Sequence, residues 1–106
     1  MGAPSYMTEF PDYPVGEMPA LPAGFVDRSW RVEPCPCFIH EETGLVLWTD
    51  RADPDLRDGR RFTLQKATNR HPEAGWQFDD GLLFVVALND WAEMARVIAP
   101  LIETKG

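Results

Sequence analysis

The chain has 106 residues, of which 44% are apolar and 11% aromatic, and its formal net charge is −7. This length suits one domain with a compact core. The acidic balance disfavours direct binding to nucleic acid or anionic membranes, because both are bound through clusters of Lys and Arg, and no apolar run approaches the roughly 18 residues that span a bilayer.

The charge is unevenly distributed along the chain. Residues 1–50 carry eight acids and two bases, whereas residues 51–106 carry nine acids and eight bases. We therefore expect the first half to present uncompensated negative potential outward, which indicates a partner with a basic surface more than it indicates a reaction.

Proline dominates the first segment. Five prolines lie between Ala3 and Gly24, and each lacks a backbone donor and disfavours helix in the residue before it. The sequence predicts a flexible or extended acidic arm over residues 1–24 and a single α+β domain over residues 25–106. Two segments of the arm, Pro11–Pro14 and Pro19–Pro22, have the PxxP spacing that docks on aromatic grooves, although neither has the neighbouring base that such ligands commonly use. Alternatively, the apolar residues of the arm lie over the chain's own core or pack on a second copy, which would make a homodimer through the arm; these residues are Phe10, Tyr13, Met18 and Leu21.

The next segments predict strands. Phe25–Val32 is a short strand candidate. Two apolar runs, Cys37–Glu41 and Leu45–Thr49, flank Glu42-Thr43-Gly44, which is typical of a hairpin with glycine at a positive φ. The segment Asp50–Gly59 is rich in Asp, Pro and Gly and predicts a solvated loop.

The second half continues this pattern. Arg61–Gln65 alternates polar and apolar residues, as a half-buried strand does. Asn69–Gly75 predicts a loop, Asp79–Gly81 a tight turn, and the apolar run Leu82–Leu88 a buried strand.

The end of the chain predicts an amphipathic helix. Asp90 can cap it, with Glu93 at the third helical position, and we expect it to kink or stop near Ala99 because Pro100 lacks a backbone donor. The residues expected to pack it on the sheet are Trp91, Met94, Ile98 and Leu101. The predicted architecture is a mainly antiparallel sheet of four or five strands with this helix on one face, leaving the other face, the arm, or both for a partner.

Catalytic and metal-binding motifs are sparse. Ser29 and the two histidines lie in no recognisable nucleophile elbow, triad or phosphate loop, and His40 is expected to be a strand residue with a hydrogen-bonded ring. A small metal site or enzyme could be built around Cys35, Cys37, His40 and His71. The cysteine spacing disfavours zinc, since only Pro36 separates the two thiols, so we expect no metal, no cofactor and no catalytic residues.

The tryptophans divide into two groups. Trp48 and Trp91 fall in the apolar phases of a strand and a helix, so we expect them in the core. Trp30 and Trp76 have polar neighbours and are candidates for exposed binding anchors.

These observations favour a non-catalytic, cytoplasmic protein-binding or inhibitory module whose acidic half meets a basic surface. In its sharpest form it imitates nucleic-acid charge to block a nucleic-acid-binding protein. In size and charge alone, such a module is similar to small acidic phage proteins, including some anti-CRISPR inhibitors, and to bacterial immunity proteins. The candidate binding residues are Glu9, Asp12, Tyr13, Glu17, Trp30, Glu41, Glu42 and Asp50. The alternatives are the metal site or enzyme above and a structural subunit that uses the arm for assembly.

Overall fold

The structure, a computed structural model, describes residues 5–31, 33, 35–57, 59–73, 75–77 and 81–103. Its elements in chain order are α1 (Ser5–Glu9), β1 (Phe25–Asp27), β2 (Cys37–His40), β3 (Leu45–Thr49), β4 (Phe62–Lys66), β5 (Arg70–His71), β6 (Gly75–Trp76), β7 (Leu83–Leu88) and α2 (Trp91–Glu103), with short 3-10 turns at Val15–Glu17 and Pro54–Leu56. Val32, Asp58 and Phe78, together with most of the predicted turn Asp79–Gly81, lie outside the described residues.

The predicted hairpin is confirmed and lies at the centre of the sheet. β2 and β3 pair antiparallel, with Cys37 opposite Trp48 and His40 opposite Leu45. Gly44 closes the turn at a φ of +80°, a value that glycine adopts without a Cβ penalty. Its N–H donates to the carbonyl of His40 at 2.8 Å.

The main sheet has five antiparallel strands in the order β1-β2-β3-β4-β7, as the predicted α+β architecture requires. β1 ends at Asp27, earlier than predicted. The cause is local: the Asp27 carboxylate accepts the N–H of Ser29 at 3.0 Å, and the Ser29 hydroxyl accepts the Cys37 N–H at 3.1 Å in place of a strand carbonyl.

Two predicted loops contain short regular elements. In Asn69–Gly75, Arg70 and His71 pair with Trp76 and Gly75 as a two-stranded hairpin. In the loop after β3, the Asp53 side chain accepts the Asp55 N–H at 3.0 Å and caps the Pro54–Leu56 turn. Both elements depend on short-range turn chemistry that apolar periodicity does not report.

Helix α2 confirms the predicted cap and face, and corrects two details. The Glu93 N–H donates to the Asp90 carboxylate at 3.0 Å. Of the two alternatives expected at Pro100, a kink or a stop near Ala99, the stop is wrong: the helix runs through Pro100 to Glu103, because proline removes one hydrogen bond while the last turn stays packed through Ile102. Leu101, expected in the interface, is 39% exposed, since the residue that follows Met94 and Ile98 at a spacing of four is Ile102.

The face of the sheet under α2 is called here the helix face. Its buried cluster comprises Leu45, Leu47, Phe62, Leu64, Met94 and Ile98. A second cluster on this face joins Phe38 to Tyr6 and Tyr13 of the N-terminal segment, and Phe38 lies directly opposite Leu47. Leu21 and Phe25 pack against both clusters, so α2 and the N-terminal segment cover one face together.

The opposite face of the sheet is called here the open face. Cys37, Ile39, Val46 and Ala67 are buried there, with Trp48, Trp76 and Leu82 packed against them. Trp76 is brought by the β5–β6 hairpin. Trp48 and Trp76 are both half-buried against this cluster, so Trp48 lies at the edge of the core and Trp76 is less exposed than predicted.

β7 differs from its prediction as a buried strand. It is the outermost strand, paired only with β4 among the described residues, and Leu83, Phe84 and Val85 are exposed. Strand formation follows from the local apolar run, but its burial depends on its place in the sheet, which the run does not encode.

Candidate functional site

The N-terminal segment lies on the chain's own sheet, which is one of the arrangements that the sequence left open. Tyr6 and Tyr13 are each 6% exposed, and their rings meet edge to face at 5.9 Å. The Asp27 carboxylate accepts the Tyr6 N–H at 2.9 Å. The segment is not uniformly extended, because residues 5–10 hold no proline and close one helical turn through a 2.8 Å bond from Phe10 N–H to the Tyr6 carbonyl.

Tyr13 connects this segment to the end of β3. Its hydroxyl donates to the Asp50 carbonyl at 3.1 Å. Burial raises the pKa of the Tyr13 phenol, so the ring stays neutral and the bond persists at neutral pH. This bond places the candidate binding residues Tyr13 and Asp50 beside each other.

Two of the candidate carboxylates are paired with arginine. Glu9 accepts from the backbone N–H of Arg31 at 2.9 Å and from its Nε at 3.2 Å, and the side-chain bond lowers the pKa of Glu9. Glu17 accepts from Ala52 N–H at 3.0 Å, which lowers its pKa, and from Arg51 Nε at 3.2 Å. The expectation of a wholly uncompensated acidic half is therefore wrong at these two positions.

A third arginine reinforces the docking of the segment. One Arg61 nitrogen donates to the backbone carbonyl of Glu17. The Arg61 guanidinium also lies 4.8 Å from the centre of the Phe62 ring, a distance typical of a cation–π contact. Arg31 of the first half and Arg51 and Arg61 of the second thus hold the acidic segment in place.

An acid-lined cleft lies between the N-terminal segment and the strand ends. Its volume is about 260 Å³, and we call it the acidic cleft. Its charged lining consists of Glu9, Asp12, Asp50 and Arg51. Its uncharged walls are Phe10, Pro11, Tyr13, Cys35 and Pro36. The lining thus contains three acidic residues, of which Glu9 is also paired with Arg31, together with one arginine and two aromatic residues. This composition suits a positively charged group.

The remaining candidate residues lie elsewhere. Glu41 and Glu42 are exposed in the β2–β3 turn, and the five residues of β3, at about 3.4 Å each, separate that turn from Asp50 by roughly 17 Å. Trp30 is 59% exposed, which confirms its predicted exposure. The eight candidates therefore do not form one continuous surface.

A second cavity, of about 490 Å³, lies on the open face and was not predicted. It is called here the open-face cavity. Its floor includes Trp48, Thr63 and Gln65, and the Trp48 Nε1 donates to Gln65 Oε1 at 2.6 Å. The alternation of β3 and β4 could have placed these side chains on one face, but the approach of Glu33 and Arg60 from distant loops has no local signal. Cys35 and Asp50 border both cavities.

The cysteine–histidine set does not assemble. Both cysteines are free and buried. His40 lies with its Nδ1 2.8 Å from Thr43 Oγ1, which confirms its predicted hydrogen-bonded ring, while His71 is exposed on the β5–β6 hairpin. Within the described ranges, no three His, Cys, Asp or Glu side chains are grouped so that they could hold a metal ion.

The cysteine and serine side chains that could act as nucleophiles are buried or hydrogen-bonded within the fold. Burial, followed by the charges of Asp50 and Glu33, raises the pKa of the Cys35 thiol to about 12, and burial also raises that of Cys37. Both thiols are thus protonated at neutral pH, and the thiol is the unreactive form. The Ser29 hydroxyl lies 3.1 Å from Cys37 N and is engaged with the backbone of β2.

No protein-family model, curated protein or solved structure matches the chain. None of the helices in the described part of the chain is long and apolar enough to cross a membrane.

Proposed function

We propose that this chain is a non-catalytic protein-binding module that receives a basic side chain of a partner protein in the acidic cleft. The observation that carries the proposal is the convergence of Glu9, Asp12 and Asp50 around a cavity walled by Phe10 and Tyr13. Its volume of about 260 Å³ lies below the roughly 300 Å³ at which drug-sized pockets begin. A Lys or Arg side chain is an occupant of suitable size and charge.

The net charge of −7 supports the same proposal. A negative protein attracts a basic surface over a distance of about one Debye length, which speeds encounter and repels acidic competitors. The cleft then supplies the local contact. The hydrogen bonds that Tyr13 and Glu17 make to residues 50–52 hold the N-terminal segment, and with it the cleft, in place before binding. Such preorganisation lowers the entropy cost of association.

Imitation of nucleic-acid charge is the narrower form of the proposal. This form requires one basic protein to contact two acidic regions at once. The first is the acidic cleft, and the second is the exposed pair Glu41 and Glu42. Charge reversal at Glu41 and Glu42 would then slow association as much as a cleft variant does. We place the module in the cytoplasm, because two free cysteines are typical of a reducing compartment.

The experiment titrates the protein with acetyl-arginine amide at low salt and follows its backbone amide shifts by NMR. Acetyl-citrulline amide, which has nearly the same shape and no charge, is the ligand control. The variant is Asp12→Asn, since Asp12 is exposed and lines the cleft; the matched control is Asp55→Asn, which removes the same charge from an exposed position outside it.

We expect shifts at Asp12, Tyr13 and Asp50, a dissociation constant raised at least threefold by Asp12→Asn and unchanged by Asp55→Asn, and weaker binding at higher salt. Equal effects of the two variants would reduce the interaction to nonspecific charge attraction and overturn the proposal. Equal binding of the citrulline compound would do the same.

A further inference from the structure

The open-face cavity has no role in the proposed function. Its volume is about 490 Å³, within the range of roughly 300–1,000 Å³ that is typical of small-molecule sites. Its charged lining consists of two acids and two bases, Glu33, Asp50, Arg60 and Arg61. The acidic cleft attracts one sign of charge, whereas this cavity offers both signs in equal number.

The fold already uses two of these four charged side chains. The Arg61 guanidinium donates to the N-terminal segment, and the Asp50 carboxylate accepts a backbone N–H at 2.8 Å. The Glu33 carboxylate and the Arg60 guanidinium, by contrast, have no hydrogen-bond or ion-pair partner within the described ranges. One negative and one positive group of the lining are therefore available to a ligand.

The strand order places these two groups on opposite sides of the cavity. Glu33 precedes β2 and Arg60 precedes β4, and β3 lies between these strands. The first residues of β2 and β4 both lie beside the last residues of β3, because the pairing is antiparallel. Two interstrand spacings separate β2 from β4 by roughly 10 Å, which is too far for Glu33 and Arg60 to neutralise each other by direct contact.

The floor of the cavity combines apolar surface with unused polar groups. Trp48 lies opposite Thr63 on β4 and is half-buried. An indole N–H is only a donor, so its 2.6 Å bond to Gln65 fixes the amide oxygen toward Trp48. The Gln65 Nε2 and the Thr63 hydroxyl have no partner in the part of the chain that the structure describes. Both groups line the cavity and can bond a polar atom between the two charges.

We infer that the open-face cavity binds a zwitterionic small molecule the size of a dipeptide, with its ammonium group at Glu33 and its carboxylate at Arg60. An extended dipeptide spans at most roughly 7 Å, and the two side chains reach inward to close the remaining distance. Its amide meets Thr63 and Gln65, and its apolar side chain lies over Trp48.

The lining favours a zwitterion over other small molecules. A simple cation leaves Arg60 without a partner, and a simple anion leaves Glu33 without one. An apolar ligand removes water from both charges and replaces it with nothing, which is costly. The inference does not rest on the proposed function, because Glu33 and Arg60 line only the open-face cavity and Asp12 lines only the acidic cleft.

The probe is glycylphenylalanine at millimolar concentration, and binding is followed by NMR through the Trp48 indole N–H and the Gln65 side-chain amide. Acetyl-glycylphenylalanine lacks the positive charge, and glycylphenylalanine amide lacks the negative charge. The variants are Glu33→Gln and Arg60→Gln. Their matched controls are Glu103→Gln and Arg96→Gln, which remove the same charges from exposed positions on α2. Near-UV circular dichroism checks that all four variants fold.

We expect each blocked compound to bind the original protein about fivefold or more weakly than the free dipeptide, since hydrogen bonds to charged groups are the stronger ones. Glu33→Gln should weaken binding of the free dipeptide by a similar factor and remove its advantage over the acetylated compound. Arg60→Gln should remove its advantage over the amide. The two α2 variants should change the dissociation constant less than twofold.

Three results would overturn the inference. The first is a Trp48 indole signal that the dipeptide does not shift, and the second is equal binding of the free dipeptide and either blocked compound. The third is a preference for the free dipeptide that persists in both Glu33→Gln and Arg60→Gln, because its charged ends would then be bound elsewhere.

The cavity and the acidic cleft can fail separately. Asp50 borders both, and for this reason it is not among the variants. Asp12→Asn should leave the affinity for glycylphenylalanine within twofold of the original, and Arg60→Gln should leave the titration with acetyl-arginine amide unchanged. Loss of both interactions in either variant would contradict the assignment of two separate sites.

Discussion

Replacing Tyr13 tests the docking of the N-terminal segment, on which the acidic cleft depends. The side chain is 6% exposed, and removing a large buried aromatic group costs about 3–5 kcal/mol. The edge-to-face contact with Tyr6 contributes about 0.5–1.5 kcal/mol of this. Tyr13→Phe keeps the ring and removes the hydroxyl with its bond to the Asp50 carbonyl, so we expect a loss of about 1 kcal/mol.

The measurement is urea unfolding followed by tryptophan fluorescence, with both variants compared under the same conditions. The free energy of unfolding that Tyr13→Ala can remove has an upper limit. The segment can undock while the sheet stays folded, and the loss then equals the free energy of docking. In that case Tyr6→Ala adds almost nothing to Tyr13→Ala, which a double-mutant cycle detects as non-additivity. A loss below about 1 kcal/mol for Tyr13→Ala, or equal losses for both Tyr13 variants, would refute the packed arrangement of the segment.

Two further predictions concern the turn and the thiols. Gly44→Ala should destabilise the fold by about 1–3 kcal/mol in urea unfolding, because Gly44 has a φ of +80° and a Cβ there would lie 2.9 Å from a ring carbon of Trp76. Gly59 has open space around it, so Gly59→Ala should have little effect. Similar losses of stability in the two variants would contradict this prediction. In the folded state Cys35 stays protonated to a pKa of about 12, against an ordinary value of 9.0. Its contribution to stability is thus complete below pH 9 and is lost as pH rises from 9 to 12. Alkylation by iodoacetamide at pH 9 should be much slower for native than for urea-unfolded protein, and equal rates would show that the thiol is not buried.

Local patterns predicted the elements well where one segment contains the whole signal. The hairpin depends on two apolar runs and Gly44, and α2 depends on Asp90 and the spacing of Met94 and Ile98. The hairpin formed as predicted, and α2 formed with the predicted cap and buried face although it runs past Pro100, since neighbouring residues determine both. The N-terminal segment was harder to predict. Its five prolines favour an extended chain overall, but residues 5–10 contain none of them and are long enough for one helical turn.

Position within the sheet could not be predicted in the same way. A buried strand and an exposed apolar edge have the same one-dimensional pattern, so Leu82–Leu88 gave no sign that Phe84 would be exposed. The acidic cleft is equally nonlocal, since Asp12, Cys35 and Asp50 come from three segments. The sequence identified Asp12, Tyr13 and Asp50 as binding candidates but did not indicate that they would share one cavity.

The charge of the chain and the charge of its surface differ for a physical reason. An acidic segment docked on its own sheet attracts the arginines that follow β3, so Glu17 is held by Arg51 and contributes more to docking than to an outward field. Asp12 remains exposed, and Tyr13 and Asp50 build both the docked segment and the wall of the cleft. A ligand that binds the cleft only when the segment is docked must stabilise that docking by mass action. The proposed binding of a basic partner and the docking of the N-terminal segment are therefore coupled, and we expect Tyr13→Ala to weaken that binding without changing any carboxylate of the cleft.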